Sequence, residues 1–222
     1  MIVTGGSSGL GAAVVAAVSE AGGTPVVLDR AAPHGDFEHE LVDLAEPRTA
    51  EAAVRRVSDR HGRLDGVVAA AGTDACGKLT DVPAEDWERV VMVNLVGNVA
   101  VVRAALPHLE QRGGSVVTVA STLGLRAVSD ATAYCASKFG IVGFTRALAA
   151  ETAGAVRVTL LVPGGMKTAF FDGRDEQYRP PADARLNRPE DVAAAVLFAL
   201  AQPDGCEVRE LVVAPSTEPS WP

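Results

Sequence analysis

A tyrosine and a lysine in one helical segment are spaced for proton transfer. Tyr134 and Lys138 are four residues apart, so a helix would place the phenol and the ammonium group on the same face. A free phenol has a pKa of about 10, and lowering it to about 7 requires roughly 4 kcal/mol of preference for the phenolate. A nearby ammonium group can supply this preference, so the spacing predicts a tyrosine general acid/base supported by a lysine. The alternative is a tyrosine at the edge of the core beside an exposed lysine.

A serine is placed where the oxygen of a substrate could bind. Ser121 directly follows an apolar segment, residues 115–120, that predicts a buried strand. Ligands of open α/β sheets bind at the carboxyl ends of the strands, so this hydroxyl could hold a reacting carbonyl or alcohol oxygen. A serine after a strand is most often an ordinary loop residue, and Ser121 is singled out only because it accompanies Tyr134 and Lys138.

A glycine-rich segment lies between the first strand, Ile2-Val3, and a helix predicted from Gly9 to Ala21. Glycines there permit a tight turn, and the amides and partial positive charge of the helix start can bind a pyrophosphate. The spacing matches neither G-x-G-x-x-G nor a Walker loop, and a tight strand-to-helix turn is the alternative. The position favours nucleotide binding, with the predicted contacts Gly5, Ser7, Ser8, Gly9, Leu10 and Gly11.

An acidic residue ends the second predicted strand, residues 26–28. The Asp29 carboxylate can accept hydrogen bonds from both ribose hydroxyls of adenosine and would repel a 2′-phosphate, so it favours NAD over NADP. Arg30 could instead pair with a 2′-phosphate if Asp29 turned away. We therefore predict NAD as the cofactor, with NADP as the less favoured alternative.

Composition and charge narrow the remaining function classes. The chain has 222 residues, 48% of them hydrophobic, and a net charge of −8, which argues against nucleic-acid binding because phosphates require a basic face. Its three cysteines, Cys76, Cys135 and Cys206, form no ligand motif, so neither a metal site nor a disulfide framework is expected. The N-terminus does not resemble a signal peptide, and no apolar run reaches about 18 residues. We therefore expect a cytoplasmic protein that does not bind membranes.

Short apolar runs alternate with longer helical segments, which is typical of a parallel sheet covered by helices on both faces. Pro107 should bend or end the helix that contains it. The pattern predicts one domain, residues 1–214, with a flexible substrate loop or lid at 164–188 and an irregular tail at 215–222 whose Trp221 docks on this chain or a neighbour. The further strands are predicted at 67–71, 115–120, 156–162 and 208–213, and the further helices at 47–60, 83–109, 131–153 and 190–201.

These motifs, in this order and spacing, resemble the compact short-chain dehydrogenase/reductases nearly from end to end. The residues that carry the resemblance are Thr4, Gly5, Gly9, Gly11, Asp29, Asn94, Ser121, Tyr134, Lys138, Pro163, Gly164 and Thr168. The resemblance implies a single Rossmann-like, doubly wound α/β domain with a seven-stranded parallel sheet flanked by helices on both faces. The chain departs from the family at Ala69-Ala70-Ala71-Gly72, where Asn-Asn-Ala-Gly is common, so an asparagine side-chain bond is expected to be lost.

The resemblance also implies roles for individual residues. Tyr134 would transfer the proton, Lys138 would bind the nicotinamide ribose, and Ser121 would position the substrate oxygen. Asn94 would help to hold a water that relays protons to solvent; the alternative is a helix residue that satisfies its own backbone. The remaining cofactor contacts would be Asp43 and Leu44 at the adenine, Ala71 and Gly72 in the turn beside the cofactor, and Pro163, Gly164 and Thr168 at the carboxamide.

The predicted activity is hydride transfer between NAD(H) and a small-molecule secondary alcohol or ketone, which is the chemistry of dehydrogenases acting on CH–OH groups. An epimerase or dehydratase is less favoured because the chain has no room for a larger substrate domain. A non-catalytic nucleotide sensor would not need the proton-transfer residues. An NADP-dependent ketoreductase is a further alternative. Polar lid residues such as Arg174 could add substrate recognition, and the two long helices, 83–109 and 131–153, should join a homodimer or homotetramer.

Overall fold

The computed structural model describes residues 1–221, which form seven parallel strands with helices on both faces. The strands are β1 (Ile2–Thr4), β2 (Val26–Asp29), β3 (Glu38–Leu41), β4 (Gly66–Ala69), β5 (Ser115–Val119), β6 (Arg157–Pro163) and β7 (Glu210–Val213). The helices are α1 (Gly9–Glu20), α2 (Pro47–His61), α3 (Ala84–Val91), α4 (Asn98–Glu110), α5 (Thr132–Glu151) and α6 (Pro189–Leu200). The strand order is β3-β2-β1-β4-β5-β6-β7, so the predicted Rossmann-like fold class is confirmed.

Apolar side chains fill both sides of the sheet. β4 and β5 are buried along their whole length, as expected for strands of a parallel sheet that is covered on both faces. On one face, α2 and α4 pack around Val54, Val101 and Leu109; on the other, α1 and α6 pack around Val14 and Val196. The two layers leave the carboxyl ends of the central strands at one edge of the sheet, and the predicted site residues lie there.

The edge strand β3 has no apolar run, and the sequence pattern therefore missed it. Glu38-His39-Glu40-Leu41 is mostly polar because β3 is the outermost strand, with one edge facing solvent. Glu40 accepts a hydrogen bond from Arg56 at 2.7 Å and also pairs with Arg60, both from α2. Charge pairing with α2 thus takes the place of apolar packing at this edge.

The predicted long helix 83–109 is interrupted. α3 ends at Val91, the stretch Met92–Gly97 is π-helical, and α4 continues from Asn98. Pro107 does not end α4, which runs on to Glu110. A proline removes one bond of the hydrogen-bond ladder, and α4 continues on both sides of it. π-helical turns are frequent at functional sites, and this one carries Asn94.

The continuous helical segment Ala84–Glu110 is long and apolar enough, by length and composition alone, to cross a membrane. This corrects the expectation that no segment of the chain reaches that length. The core helices of soluble proteins meet the same criterion, and α4 contributes Val101, Ala105 and Leu109 to the core beside β4. The segment is therefore weak evidence for a membrane span.

The segment 164–188 after β6, which we call the substrate loop, is more ordered than its sequence indicates. It contains two single-turn 3₁₀ helices, Ala169–Phe171 and Glu176–Tyr178. Its two ends are joined by a bridge between Met166 and Asn187. This bridge fixes where the loop leaves and rejoins the fold.

The predicted irregular tail begins at Pro215, and its last residue, Pro222, lies outside the described residues. Residues 215–221 form turns rather than a helix or strand. The Trp221 side chain, which was expected to dock, is still 40% exposed.

Candidate active site

Three of the four predicted catalytic side chains meet beside the carboxyl end of β5. Ser121 follows that strand with an extended backbone, and its Oγ accepts a hydrogen bond from the Leu123 amide at 3.1 Å. Tyr134 and Lys138 lie in the first two turns of α5, and the Lys138 Nζ is 5.6 Å from the centre of the Tyr134 ring. The predicted helix over this segment is confirmed, and it places the phenol and the ammonium group on one face.

Lys138 is buried although it carries an ionisable group. Its side chain is 3% exposed, and its Nζ donates a hydrogen bond to the Val119 carbonyl at 2.9 Å. Burial lowers the pKa of this lysine to about 8, and the Asp74 carboxylate opposes the change. A Cβ added to Gly72 would lie 3.7 Å from the same Nζ, so the lysine sits directly beneath the turn that follows β4.

The pKa of Tyr134 moves in the direction opposite to the sequence-based expectation. Burial raises it to about 12, while its interactions with Ser121 and with the charge of Arg174 lower it. The expected drop towards 7 assumed that the lysine would stabilise the phenolate. In the structure Lys138 donates to a backbone carbonyl, and desolvation of the phenolate dominates.

Asn94 joins three segments around the site. Its Oδ1 accepts from the Thr73 amide at 2.7 Å, and its Nδ2 donates to the Thr73 carbonyl at 2.9 Å and to Ser137 Oγ at 3.1 Å. The alternative of a helix residue bonding only its own backbone is therefore wrong. The side chain holds the π-helical stretch against α5 and against the segment after β4.

The glycine-rich loop has the shape of a phosphate cradle. Gly5 and Gly9 adopt positive φ values of 68° and 52°. A Cβ added to Gly11 would lie 2.1 Å from the Gly5 carbonyl oxygen, so only glycine allows the helix to approach the strand this closely. Ser8 begins α1 without a side-chain cap, which leaves the first-turn amides without a capping side chain. These residues fit the pyrophosphate of a dinucleotide.

Asp29 lies beside this cradle at the end of β2. Its carboxylate accepts hydrogen bonds from the Ser7 amide at 3.1 Å and from the Ala31 amide at 3.2 Å. The Ser7 hydroxyl in turn donates to the Ala31 carbonyl at 2.5 Å. The carboxylate is thus aimed at the glycine loop, whereas Arg30 is exposed.

The two residues predicted at the adenine occupy different environments. Asp43 is half-exposed and pairs with Arg89 at 2.8 Å. Burial raises the pKa of its carboxyl, but hydrogen bonds from the Ala45 amide and from Arg89 together bring it below its usual value. The Leu44 side chain is 4% exposed and belongs to the apolar core.

The residues predicted at the carboxamide follow β6. Pro163 is the last residue of that strand, and the Gly164 amide donates to the Val213 carbonyl of β7 at 2.9 Å. Thr168 caps the first short helix of the substrate loop by accepting from the Phe170 amide at 3.3 Å. Its methyl group is 3.5 Å from the position of a Cβ on Gly9, so the substrate loop reaches over the glycine loop.

A buried hydrogen-bond network, which the sequence did not predict, holds the Ala71-Gly72 segment after β4. Thr4 Oγ1 accepts from the Ala71 amide at 3.0 Å and donates to Asn98 Oδ1 at 2.7 Å. Asn98 Nδ2 donates to the Ala71 carbonyl at 2.9 Å. An asparagine from α4 thus bonds the turn that lacks the family's usual asparagines. The only signal in the sequence was a second asparagine four residues after Asn94.

A second missed feature is an ion pair beneath the substrate loop. The carboxylate of Asp74 and the guanidinium of Arg174 are 2.6 Å apart, with side chains only 7% and 18% exposed. The guanidinium also lies 5.0 Å from the ring centre of Phe170, which is itself 5.7 Å from that of Tyr134. Cys76 donates to Asp74, and burial together with that carboxylate raises the pKa of its thiol to about 12, so it is not a ready nucleophile.

Within residues 1–221 there is no group of three or more His, Cys, Asp or Glu side chains that could hold an ion.

Comparison with known proteins gives consistent results. The short chain dehydrogenase family profile matches residues 1–179. The chain is 31% identical to an uncharacterised oxidoreductase of Staphylococcus epidermidis over 96% of both chains. It is 30% identical to a 3-oxoacyl-[acyl-carrier-protein] reductase of Thermotoga maritima over 89% of this chain and 88% of that one.

Solved structures give the same result for the fold. The ligand-free aldohexose dehydrogenase of Thermoplasma acidophilum has a TM-score of 0.85 at 25% identity, covering 96% of this chain and 91% of that one. An alcohol dehydrogenase of Thermococcus sibiricus, complexed with 5-hydroxy-NADP, has a TM-score of 0.85 at 24% identity, covering 96% and 94%. With the profile match over residues 1–179 and the end-to-end identity to other oxidoreductases, the chain belongs to the short-chain dehydrogenase/reductase family of oxidoreductases.

Proposed function

We propose that this protein is an NAD-dependent dehydrogenase that transfers a hydride between the nicotinamide and a small secondary alcohol or ketone. The observation that carries the proposal is the meeting of Ser121, Tyr134 and Lys138 at the carboxyl end of β5, beside an uncapped glycine-rich helix start. Members of the family bind a nicotinamide cofactor. Catalysis needs a proton-transfer group next to the bound dinucleotide, and the site contains such a group beside a loop that can bind a pyrophosphate.

Tyr134 moves the proton in this proposal. In the reductive direction the phenol gives its proton to the carbonyl oxygen while the carbonyl carbon gains the hydride. In the oxidative direction the phenolate takes the proton of the substrate hydroxyl while the carbon loses the hydride. Ser121 holds the same oxygen by a hydrogen bond. When bound, the nicotinamide supplies or accepts the hydride and, in its oxidised form, adds a positive charge near the phenol.

The buried surroundings of Tyr134 favour the protonated phenol. With a pKa of about 12 the phenol is protonated at neutral pH, which is the form required for carbonyl reduction. Oxidation needs the phenolate, and two cations of the chain can favour it: the Arg174 guanidinium, whose charge lowers the pKa of Tyr134, and the Lys138 ammonium, 5.6 Å from the ring centre. Among residues 1–221 the Lys138 Nζ donates one hydrogen bond, to Val119, so its remaining protons can bind a ribose hydroxyl. Asn94 bonds Thr73 and Ser137 and so fixes the segment after β4 against α5, beside Lys138.

The choice of NAD rests on Asp29. Its carboxylate faces the cradle through Ser7, where it can accept from ribose hydroxyls and would meet a 2′-phosphate with like charge. The exposed Arg30 supports the second candidate, an NADP-dependent ketoreductase. The Thermotoga maritima relative is named as a reductase of 3-oxoacyl groups, and the Thermococcus sibiricus alcohol dehydrogenase holds 5-hydroxy-NADP.

Residues 1–214 are proposed to act as one cofactor-binding and catalytic domain, with the substrate loop as its lid. Its partners would be the small-molecule substrate and further copies of itself, in a homodimer or homotetramer, and not nucleic acid or membranes. We further propose that it works in the cytoplasm, where a nicotinamide cofactor is at hand. The net charge of −8 is consistent with these partners, because nucleic acid and anionic lipid both require basic surface.

Calorimetric titration with NADH and with NADPH, followed by turnover of a panel of secondary alcohols and ketones, tests the proposal. NADH should bind more tightly than NADPH. Tyr134→Phe should lose about 10³-fold in turnover while keeping its NADH affinity, because only the proton carrier is removed. Tyr178→Phe removes the chain's other phenol hydroxyl, which lies in the substrate loop, and should lose much less turnover than Tyr134→Phe. Tight NADPH binding would favour the ketoreductase, and near-normal turnover of Tyr134→Phe would rule out the mechanism.

A further inference from the structure

The C-terminal tail, residues 215–221, folds back onto the turn that follows β6. The Glu218 Oε2 accepts a hydrogen bond from the Gly165 amide at 2.9 Å. A Cβ added to Gly164 would lie only 2.5 Å from the same oxygen, so the carboxylate fills the space that a side chain on this turn would need. The contact joins residues 53 positions apart in the chain.

The other carboxylate oxygen of Glu218 is linked through Ser220 to Thr122, the residue after Ser121. The Ser220 hydroxyl bridges Glu218 Oε1 at 2.6 Å and Thr122 Oγ1 at 2.7 Å. Arg126 adds a bond from its Nη1 to the Pro219 carbonyl at 3.2 Å. The tail therefore connects the turn after β6 with the segment after β5, which are the two sides of the proposed substrate site.

The segment after β6 is held by backbone bonds of Gly164 to Val213 and of Asn187 to Gly165, and Glu218 adds the one side-chain acceptor for the Gly165 amide among the described residues. Pro163 is followed by two glycines, Gly164 and Gly165, and glycine loses more conformational freedom on ordering than any other residue. A hydrogen bond from a backbone amide to a charged carboxylate is stronger than one between neutral groups. Glu218 is therefore able to select one conformation of a segment that is flexible by composition.

We propose that Glu218 is a positioning residue that holds the Pro163–Gly165 turn in the conformation that receives the nicotinamide end of the cofactor. The inference rests on the proposed function, which places the carboxamide at this turn. Glu218 itself touches the turn and not the reacting atoms. It should therefore affect the affinity for the whole dinucleotide and leave binding of its adenosine half unchanged.

The test compares Glu218→Ala, Glu218→Gln and the control Thr217→Ala, which changes an exposed residue of the same tail. Two readouts are used: hydrogen exchange of the peptide that contains Gly165, and calorimetric titration with NADH and, separately, with ADP-ribose, which lacks the nicotinamide. For Glu218→Ala we expect exchange at this peptide to be faster and NADH affinity to fall about tenfold, with ADP-ribose affinity unchanged. Glu218→Gln, whose amide oxygen can accept the same bond without the charge, should recover most of both values, and Thr217→Ala should match the wild type.

The outcomes separate the two proposals. Unchanged exchange and unchanged NADH affinity in Glu218→Ala would overturn the role of Glu218. An equal loss of NADH and ADP-ribose affinity would overturn it as well, because that result indicates general destabilisation rather than a positioned turn. A wild-type protein that binds neither NADH nor NADPH would instead overturn the proposed function.

Discussion

Lys138 illustrates how the site keeps an ionisable group at the expense of stability. Its side chain is buried with a single hydrogen bond, to Val119, and its pKa falls from 10.5 to about 8. A group whose pKa is lower in the folded than in the unfolded protein binds a proton less readily when folded. The ammonium form is thus disfavoured by folding, by about 3 kcal/mol at neutral pH.

We predict that this cost appears as a pH dependence of unfolding. Between pH 8 and 10.5 the unfolded chain holds the Lys138 proton while the folded chain has released it, so the free energy of unfolding should rise with pH. Lys138→Met removes the titrating group, and its free energy of unfolding should lack this rise. Urea unfolding of both proteins from pH 7 to 9.5 measures the difference, in which the other titrating groups cancel. Parallel curves would contradict a lowered lysine pKa.

At the same scale, Asp29 should set the cofactor preference. Asp29→Ala removes both the acceptor for ribose hydroxyls and the charge that opposes a 2′-phosphate, so the ratio of NADPH to NADH affinity should rise at least about tenfold. Calorimetric titration with each cofactor measures the ratio. Asp36→Ala, at a nearby exposed position, serves as the control. An unchanged ratio in Asp29→Ala would leave the choice of cofactor to other residues.

The sequence predicted that the three proposed catalytic side chains lie together, but it did not predict the energetics of their ionisable groups. The i, i+4 spacing of Tyr134 and Lys138 and the position of Ser121 after an apolar strand were sufficient to bring them together. The predicted lowering of the Tyr134 pKa was wrong because residue spacing does not reveal how strongly a side chain is desolvated. The partners Asp74 and Arg174 are 100 positions apart, and no local pattern links them.

Among the elements, the interrupted helix α3–α4 does most to shape the site. Its π-helical stretch contains Asn94, which bonds Thr73, and α4 begins with Asn98, which bonds Ala71. Both asparagines bond the segment that follows β4. One helix therefore secures the turn in which the family commonly has asparagines of its own.

Asn98→Ala should destabilise the fold through this network. The change leaves the Thr4 hydroxyl and the Ala71 carbonyl without Asn98, at a position that is only 2% exposed, so we expect a loss of about 2 to 3 kcal/mol. Urea unfolding measures it, and Glu110→Ala, an exposed position at the end of the same helical segment, should change stability by less than about 0.5 kcal/mol. A loss for Asn98→Ala as small as that of the control would show that Thr4 and Ala71 find other partners.

Elements with a buried apolar face were predictable, and elements held by other means were not. The five inner strands appeared in the pattern because burial on both faces requires apolar runs, and the edge strand β7 appeared because Leu211, Val212 and Val213 are apolar although only partly buried or exposed. β3 did not, because its stability comes from ion pairs with Arg56 and Arg60. The π-helical stretch was not predicted either, since Met92–Gly97 is mostly apolar like the flanking α-helices and a stretch of six residues is too short to show a period of its own.

For the molecule as a whole, the exposed apolar surface is where further copies of the chain should bind. Phe139 on α5 is 44% exposed and Val96 on the neighbouring helical segment is 36% exposed. The two elements are in contact, since a Cβ on Gly140 would lie 2.7 Å from Leu95. A Cβ on Gly143 would meet nothing within 4 Å, so the surface beside it is open. Paired helices with such a face are suited to a symmetric interface.

We predict that Phe139→Glu dissociates the homo-oligomer, because a charge buried in an interface without a partner is costly. Sedimentation velocity of the wild type should show a dimer or tetramer, and the variant a smaller species at the same concentration. Phe198→Glu, on α6 and 57% exposed, tests the main competing surface. If Phe198→Glu dissociates the protein and Phe139→Glu does not, the subunits meet at α6 instead.

The strand order also determines when the sheet can be completed. β1 lies between β2 and β4, so Ile2 pairs with Val26 on one side and with the distant Val67 on the other. Until β4 has formed, one edge of β1 remains unpaired, and the apolar side chains of β1 and β2 remain exposed beside it. Pairing of strands far apart in sequence slows folding, and open apolar edges associate with other chains in the meantime. Refolding yield should therefore depend on protein concentration, and nascent chains should be most prone to aggregation before β4 leaves the ribosome.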